Sequence, residues 1–316
     1  LNYKRTFLIG LAFLSICSFW QMYDNIIPLI LQNTYHLGET MTGAVMALDN
    51  VLAIFLLPVC GMLSDKVHTK LGRRMPFIVA GTILAVIFMM MLPMIDNAEK
   101  ARWATGGSFS NQVFFLGVLF LTLVSMGLYR SPAVALMPDV TPNHLRSRAN
   151  AVINLMGAVG GVYALIMIKV LVGKGETPDY LPLFASIAAV MAIAVGILVI
   201  TIRENKLREE VEKAEAANAD TIEEKAMAEG VEAAGEIEAV GDTGEAKAFE
   251  EKQKTAKTES AKDMPKDVKR SMYFMLASIF LWFTAYNAVT TAFSRYTKVV
   301  WKMEGGSFAN CLMVAT

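Results

Sequence analysis

Three cysteines and three histidines are all that this chain of 316 residues offers a soft or borderline metal. Cys17, Cys60 and Cys311 lie far apart in apolar runs, with no metal spacing and no evident disulfide partner, so they read as core residues. No phosphate loop and no nucleophile set beside a base occurs, which argues against an enzyme and against a bound cofactor. Charge is scarce as well, at 18% of residues, where a soluble domain carries about 25%. The few charges are unevenly placed. Residues 203–272 hold 19 of the 29 acids and 13 of the 29 bases, leaving 10 acids and 16 bases elsewhere. A net charge of zero therefore hides a basic part and an acidic part. The bases form no concentrated stripe, so nucleic acid is not an expected partner.

Apolar residues are abundant instead, at 54%, with a mean hydropathy of +0.43. One crossing of a bilayer takes about 20 mostly apolar residues. Seven segments qualify, roughly 7–31, 42–63, 76–95, 113–135, 150–172, 181–202 and 272–293, and an eighth begins near Phe308. They are expected to be helices, because lipid offers no partner to open backbone groups. The first run is longer than the apolar core of a signal peptide and reads as a span. Lys4, Arg5, Lys66, Lys70, Arg73, Arg74, Arg146 and Arg148 fall on one side, against Lys100, Arg102 and Lys174 on the other. That bias places the N-terminus and the long central loop in the cytoplasm of a plasma (inner) membrane protein.

The predicted fold is thus an all-α polytopic membrane protein. Residues 1–202 form a six-helix bundle, 203–271 a charged cytoplasmic linker and 272–316 the start of a second bundle. The linker is rich in Glu, Ala and Lys and cannot bury a core, so it reads as a partly helical, partly disordered spacer. The chain starts at Leu1, and its last apolar run stops at Thr316, far short of a span. It is expected to be a fragment.

The most specific stretch joins the second and third spans: Gly61-Met62-Leu63-Ser64-Asp65-Lys66-Val67-His68-Thr69-Lys70-Leu71-Gly72-Arg73-Arg74-Met75-Pro76-Phe77-Ile78. Gly61 is expected to let helix 2 approach a neighbour closely, and Pro76 suits the first turn of helix 3. This loop resembles the conserved loop of the major facilitator superfamily. The gap between Asp65 and Gly72-Arg73-Arg74, followed by Met75-Pro76-Phe77-Ile78, is similar to the sucrose/maltose branch of the glycoside–pentoside–hexuronide cation symporters. Pro138-Asp139-Val140-Thr141-Pro142, Arg146-Ser147-Arg148-Ala149-Asn150-Ala151 and Tyr286-Asn287-Ala288 fit the same group. The resemblance implies twelve helices in two halves that rock about a central substrate. Two departures matter. Ala53 and Leu57 stand where melibiose-type carriers place sodium-binding aspartates, which points to a proton as coupling ion. Thr290 stands where related carriers often have a carboxylate.

Ionisable groups inside spans usually line a cavity or pair, since each costs at least about 2.5 kcal/mol at the bilayer centre. Asp24 and Asp49 both lie seven residues from the outer end of their helix, roughly 10 Å deep. They share one layer and can face a common cavity. One reading makes both proton-coupling groups, with Asp24 also contacting substrate; the other has them hold helices together. Arg130 reads as lying near the cytoplasmic end of helix 4, either binding substrate or snorkelling. A sugar needs polar groups for its hydroxyls and aromatic faces for its C–H surfaces. Trp20, Gln21, Tyr23, Asp24 and Asn25 on helix 1, and Trp282, Tyr286 and Asn287 on helix 7, offer both, although aromatics also pack against lipid. Asp65, Arg73, Arg74, Asp139, Arg146 and Arg148 form a second cluster. By resemblance such charges gate the cavity; alternatively they only anchor topology.

The expected function is secondary active transport by alternating access, as proton-coupled symport of a disaccharide or other glycoside. Carriage of another cargo, as in a drug/proton antiporter, and a non-transporting fragment or sensor are the rival readings.

Overall fold

The computed structural model describes residues 3–67, 69, 71–105, 111–142, 145–173, 178–211, 213, 266–303 and 306–315. Eight helices are named here in chain order: α1 (Tyr3–Asn33), α2 (Glu39–Lys66), α3 (Met75–Ala104), α4 (Gln112–Asp139), α5 (Arg146–Leu171), α6 (Leu181–Thr201), α7 (Lys266–Val299) and α8 (Ala309–Ala315). Seven of them, all but α8, are long and apolar enough to cross a membrane. The chain is an all-α polytopic membrane protein. Most of the expected linker, residues 214–265, lies outside the described residues, as does His68 of the signature loop.

Two compact units are present: residues 1–213 with 290–316, and residues 214–289. The first holds α1–α6, the last turns of α7 and α8. Within it α1 is central, packed on α5 and α6, while α3 lies against α4 and α6, and α2 against α4. Close approach replaces bulk where helices meet. A Cβ added at Gly160 of α5 would stand 2.1 Å from the Leu14 carbonyl oxygen of α1, and one at Gly81 of α3 would stand 2.7 Å from the Tyr129 backbone nitrogen of α4. Gly61 is different. A Cβ there would meet Ser131 Oγ at an ordinary 3.5 Å, so the close approach expected of it is absent.

Small hydroxyls inside this interface are satisfied locally, as an apolar setting requires. Ser18 Oγ lies 2.8 Å from each of the Leu14 and Gly160 carbonyl oxygens, so that its one proton serves either. Ser15 Oγ lies 2.5 Å from the Tyr129 hydroxyl, which in turn reaches the Ala12 carbonyl at 3.0 Å.

α3 begins with Pro76 in its first turn, as read from the sequence. α7 begins six residues before the expected span and ends six residues after it. Residues 204–211, read as the onset of a spacer, are helical, and Leu207 joins the core of the first unit. In the second unit the Trp282 and Tyr286 rings stack at 6.0 Å, and Arg270 lies 5.7 Å from the Phe274 ring.

Candidate functional site

The helices carry three polar layers, and each is built by residues that an apolar bundle would otherwise exclude.

The middle layer lies between α1, α2 and α4. Trp20, Asp49, Asn50, Leu56, Leu123 and Arg130 line a cavity of about 40 Å³. The Arg130 guanidinium sits 5.5 Å from the centre of the Trp20 indole, a cation–π distance. Asn50 Nδ2 donates to Asp49 Oδ1 at 2.9 Å. Asp49 lies within electrostatic reach of both Asp24 and Arg130. The sequence reading set Arg130 near the end of its helix. In the structure α4 continues nine residues beyond it to Asp139, and so Arg130 reaches the layer of Trp20 and Asp49. On α1, Trp20 packs edge-on to Tyr23 at 5.4 Å, and Tyr23 and Asn25 are buried at 1% and 2% exposure. Among the described residues, Trp20 Nε1, the Tyr23 hydroxyl and Asn25 Oδ1 are buried without a hydrogen-bond partner. Such groups are rare in a finished interior, because each costs about 1–3 kcal/mol. Gln21 and Asp24 are half-buried beside them. Trp282 and Tyr286 are exposed in the second unit, and the side chain of Asn287 lies outside the described residues.

The basic face gathers the α2–α3 loop, the end of α4 and the 204–211 segment. Arg74 donates to Asp65 at 2.7 Å, to Asp139 at 2.9 Å and to Ser64 Oγ at 2.6 Å. Arg73 holds Asp139 at 2.8 Å and lies 3.7 Å from Asp65. Glu204 completes the cluster from beyond α6. Its carboxylate, on a residue 1% exposed, accepts the backbone N–H groups of Arg73, Arg74 and Met75 at 2.9–3.1 Å. These are the orphan donors at the start of α3, where no local side chain caps the helix. Two arginines thus face three carboxylates, and the positive end of α3 offsets the third. Gly72, with φ +124°, makes this fit, since a Cβ there would stand 2.2 Å from Glu204 Oε2. Asn205 Nδ2 reaches the Thr69 carbonyl at 3.1 Å, and Arg5 pairs with Glu210 at 2.7 Å. Of the remaining predicted gating residues, Arg146 bonds the carbonyls of Pro138 and Thr141 at its own turn, and Arg148 is exposed.

The opposite, far face was not singled out in the sequence. Asp96 and Glu99 of α3 are 0% and 3% exposed. Lys100 Nζ stands 2.5 Å from Asp96 and donates to the Pro178 carbonyl at 2.6 Å, over the Tyr180 ring at 4.8 Å. Asp179 accepts from Asn97 at 2.7 Å and from the Leu181 N–H at 2.9 Å. The Asn97 amide, ahead of an opposing contribution from partial burial, holds the Asp179 carboxyl below its usual range. Burial, then the Asp96 and Glu99 carboxylates, raises the Tyr35 phenol. α3 therefore anchors the ends of its neighbours. Its acids went unnoticed because they follow the apolar run, where charges are commonplace.

Signals for the missed residues are weak but real. Leu207 and Val211, spaced i, i+4 just after Glu204, mark an amphipathic start to the linker.

A family model described as Major Facilitator Superfamily matches residues 7–315. Similar curated proteins include the sucrose transport protein SUC4 of Arabidopsis thaliana, 37% identical over 117 residues, which are 34% of this chain and 22% of that protein. The sucrose transport protein SUT3 of Oryza sativa subsp. japonica is 26% identical over 137 residues, covering 41% of this chain and 27% of that protein. The sucrose transport protein SUC3 of Arabidopsis thaliana is 28% identical over 120 residues, 35% of this chain and 20% of that protein. The chain thus aligns with 20–27% of the length of these relatives, which are named as transport proteins.

Proposed function

The chain belongs to the major facilitator superfamily, and we propose that it acts in proton-coupled sugar symport by alternating access. The cargo proposed is a disaccharide or other glycoside, in keeping with relatives named as sucrose transport proteins. The observation that carries the reading is the row of unpartnered polar atoms on α1, Trp20 Nε1, the Tyr23 hydroxyl and Asn25 Oδ1, in the layer of Asp24, Asp49 and Arg130. A hydroxyl-rich ligand satisfies such atoms and an apolar drug does not. Trp20 offers an aromatic face for the C–H side of a sugar ring.

In this reading Trp20, Gln21, Tyr23, Asp24, Asn25 and Arg130 bind the sugar, and Trp282, Tyr286 and Asn287 keep the sugar-binding role that the sequence suggests for them. Asp49, with Asp24, carries the coupling proton. Asp65, Arg73, Arg74, Asp139, Arg146 and Arg148 bias the gate, with the basic face cytoplasmic and the protein in the plasma (inner) membrane. The test is uptake of labelled sucrose and maltose into proteoliposomes holding the full-length protein. Saturable uptake driven by an inward proton gradient, and not by a sodium gradient, is expected. Uptake that ignores the proton gradient removes the coupling, and no uptake of any glycoside removes the cargo.

A further inference from the structure

We infer that the far face of the first unit holds a site for one alkali cation of sodium's size, built by Asp96 of α3 with the Thr34 and Tyr35 hydroxyls that follow α1. The site does not depend on the sugar reading above.

Lys100 takes one side of the Asp96 carboxylate. Its ammonium stands against Oδ2, and the Pro178 carbonyl and the Tyr180 ring hold it there. Thr34 and Tyr35 approach the same carboxylate from the end of α1, and they are 4% and 8% exposed. The Thr34 side chain lies beside the Asp96 carboxyl, and the Tyr35 phenol stands in the field of Asp96 and of Glu99. The Phe115 ring, 4.9 Å from that of Tyr35, holds the phenol in place. Among the described residues, Asp96 Oδ1, Thr34 Oγ1 and the Tyr35 hydroxyl make no well-formed hydrogen bond. Three oxygens with lone pairs to give therefore share one buried place, where leaving them unmatched is costly.

The local charge calls for a cation and sets its valence. Asp96 faces Lys100, Glu99 lies 3.6 Å from Arg102, and Asp179 shares the field of Lys100. Three carboxylates thus meet two cations, and one further positive charge completes the balance. A divalent ion would overshoot it. Calcium also takes about six to eight oxygens, more than one carboxylate and two hydroxyls supply. A donor set of oxygen alone, without thiolate or imidazole, suits a hard ion and not zinc or copper. A cation held here ties the end of α1 to α3 and shields Asp96 from its acidic neighbours. It lies apart from the layer of Asp24, Asp49 and Arg130, so it strengthens the fold and takes no part in coupling.

The test is thermal unfolding of the full-length protein in detergent micelles, in sodium chloride and in choline chloride at equal ionic strength. Sodium is expected to raise the melting temperature saturably. For a dissociation constant of about 10 mM, about 100 mM sodium multiplies the folded-to-unfolded ratio about elevenfold and shifts the melting temperature by about 2–4 °C. Thr34→Val and Tyr35→Phe keep the shape and remove one hydroxyl each, and both are expected to lose most of the sodium shift, as is Asp96→Asn. Lys100→Met is expected to show a larger sodium shift than the parent, because the cation then takes over the ammonium's charge as well. Equal melting temperatures in the two salts, which an ordered water alone would give, overturn the site. So does a full sodium shift in both Thr34→Val and Tyr35→Phe, or a shift in Lys100→Met no larger than the parent's. If either charge variant fails to fold, the two hydroxyl variants decide.

Discussion

Glu204 accepts the backbone N–H of Arg74 with both of its carboxylate oxygens, each at 3.0 Å, across 130 residues of sequence. The start of α3 is thereby capped by a residue that follows α6. The two neighbouring N–H groups, of Arg73 and Met75, point to the same carboxylate. Glu204→Ala strands these donors in a buried place and should destabilise the bundle by about 3 kcal/mol. Gly72→Ala should act on the same contact by steric clash, so the two changes together should destabilise less than their sum. Thermal unfolding in detergent measures both. Simple additivity would mean that the glycine and the carboxylate act separately.

The spans were legible in the sequence, because runs of about 20 apolar residues have few other uses. Their true ends were not. α7 includes Lys266, Lys269 and Arg270 before its apolar run and Arg295 and Lys298 after it, and a hydropathy window discards such residues. Arg130 was read as near the end of its helix, and α4 runs nine residues beyond it, past the apolar stretch. Glu204 was illegible in a stronger sense. Its partners are backbone N–H groups, which carry no residue signature. Asp24 and Asp49 were recognisable because a carboxylate in an apolar run is unusual. That Arg130 joins Asp49 in one cavity depends on how α2 and α4 pack, which spacing along one chain does not specify.

Lys100 balances Asp96, which is 0% exposed. Lys100→Met should therefore leave an uncompensated buried carboxylate and destabilise the first unit by about 3–5 kcal/mol. Adding Asp96→Asn should recover much of that loss, because the charge is then gone. A double-mutant cycle on melting temperature checks this. A double variant no better than Lys100→Met alone would show that the ammonium matters through Pro178 and Tyr180 instead.

Gly160 and Gly196 should respond oppositely to the same change. Gly160→Ala places a Cβ 2.1 Å from the Leu14 carbonyl oxygen, which is backbone and cannot rotate aside. Prising α1 from α5 should destabilise by about 2 kcal/mol and weaken the Ser18 bond to the Gly160 carbonyl. Gly196→Ala meets nothing within 4 Å and should be neutral or stabilising by up to about 1 kcal/mol. Equal effects on melting temperature would remove close packing as the reason for Gly160.

Asp179 gives a pH dependence on the far face. Its folded pKa is depressed, first by the Asn97 amide. The stabilisation it adds is therefore present above the unfolded pKa, about 3.9, and is lost as pH falls through the lower folded value. Asp179 is exposed, so the effect is small. Melting temperatures measured from pH 6 down to pH 3 should fall less steeply for Asp179→Asn than for the parent. Parallel slopes would show that the Asn97 contact does not distinguish the two charge states.

The two membrane carboxylates should separate coupling from binding. Asp49 shares its cavity with Arg130, a cation on another helix, and Asn50 Nδ2 donates to its carboxyl. Asp24 stands beside the unpartnered Tyr23 hydroxyl and Asn25 Oδ1, groups suited to sugar hydroxyls. Asp49→Asn is expected to abolish accumulation against a gradient while sparing sugar exchange, because exchange moves no net proton. Asp24→Asn is expected to weaken sugar binding in both modes, by about tenfold for the loss of one hydrogen bond to a charged group. Proton-driven uptake and counterflow, measured for each variant of the full-length protein, check this. If Asp49→Asn still concentrates sugar under an imposed pH gradient, Asp49 is not the coupling group. If both variants lose exchange equally, the carboxylates act as one binding unit, and Arg130, which lies within reach of Asp49, becomes the next residue to vary.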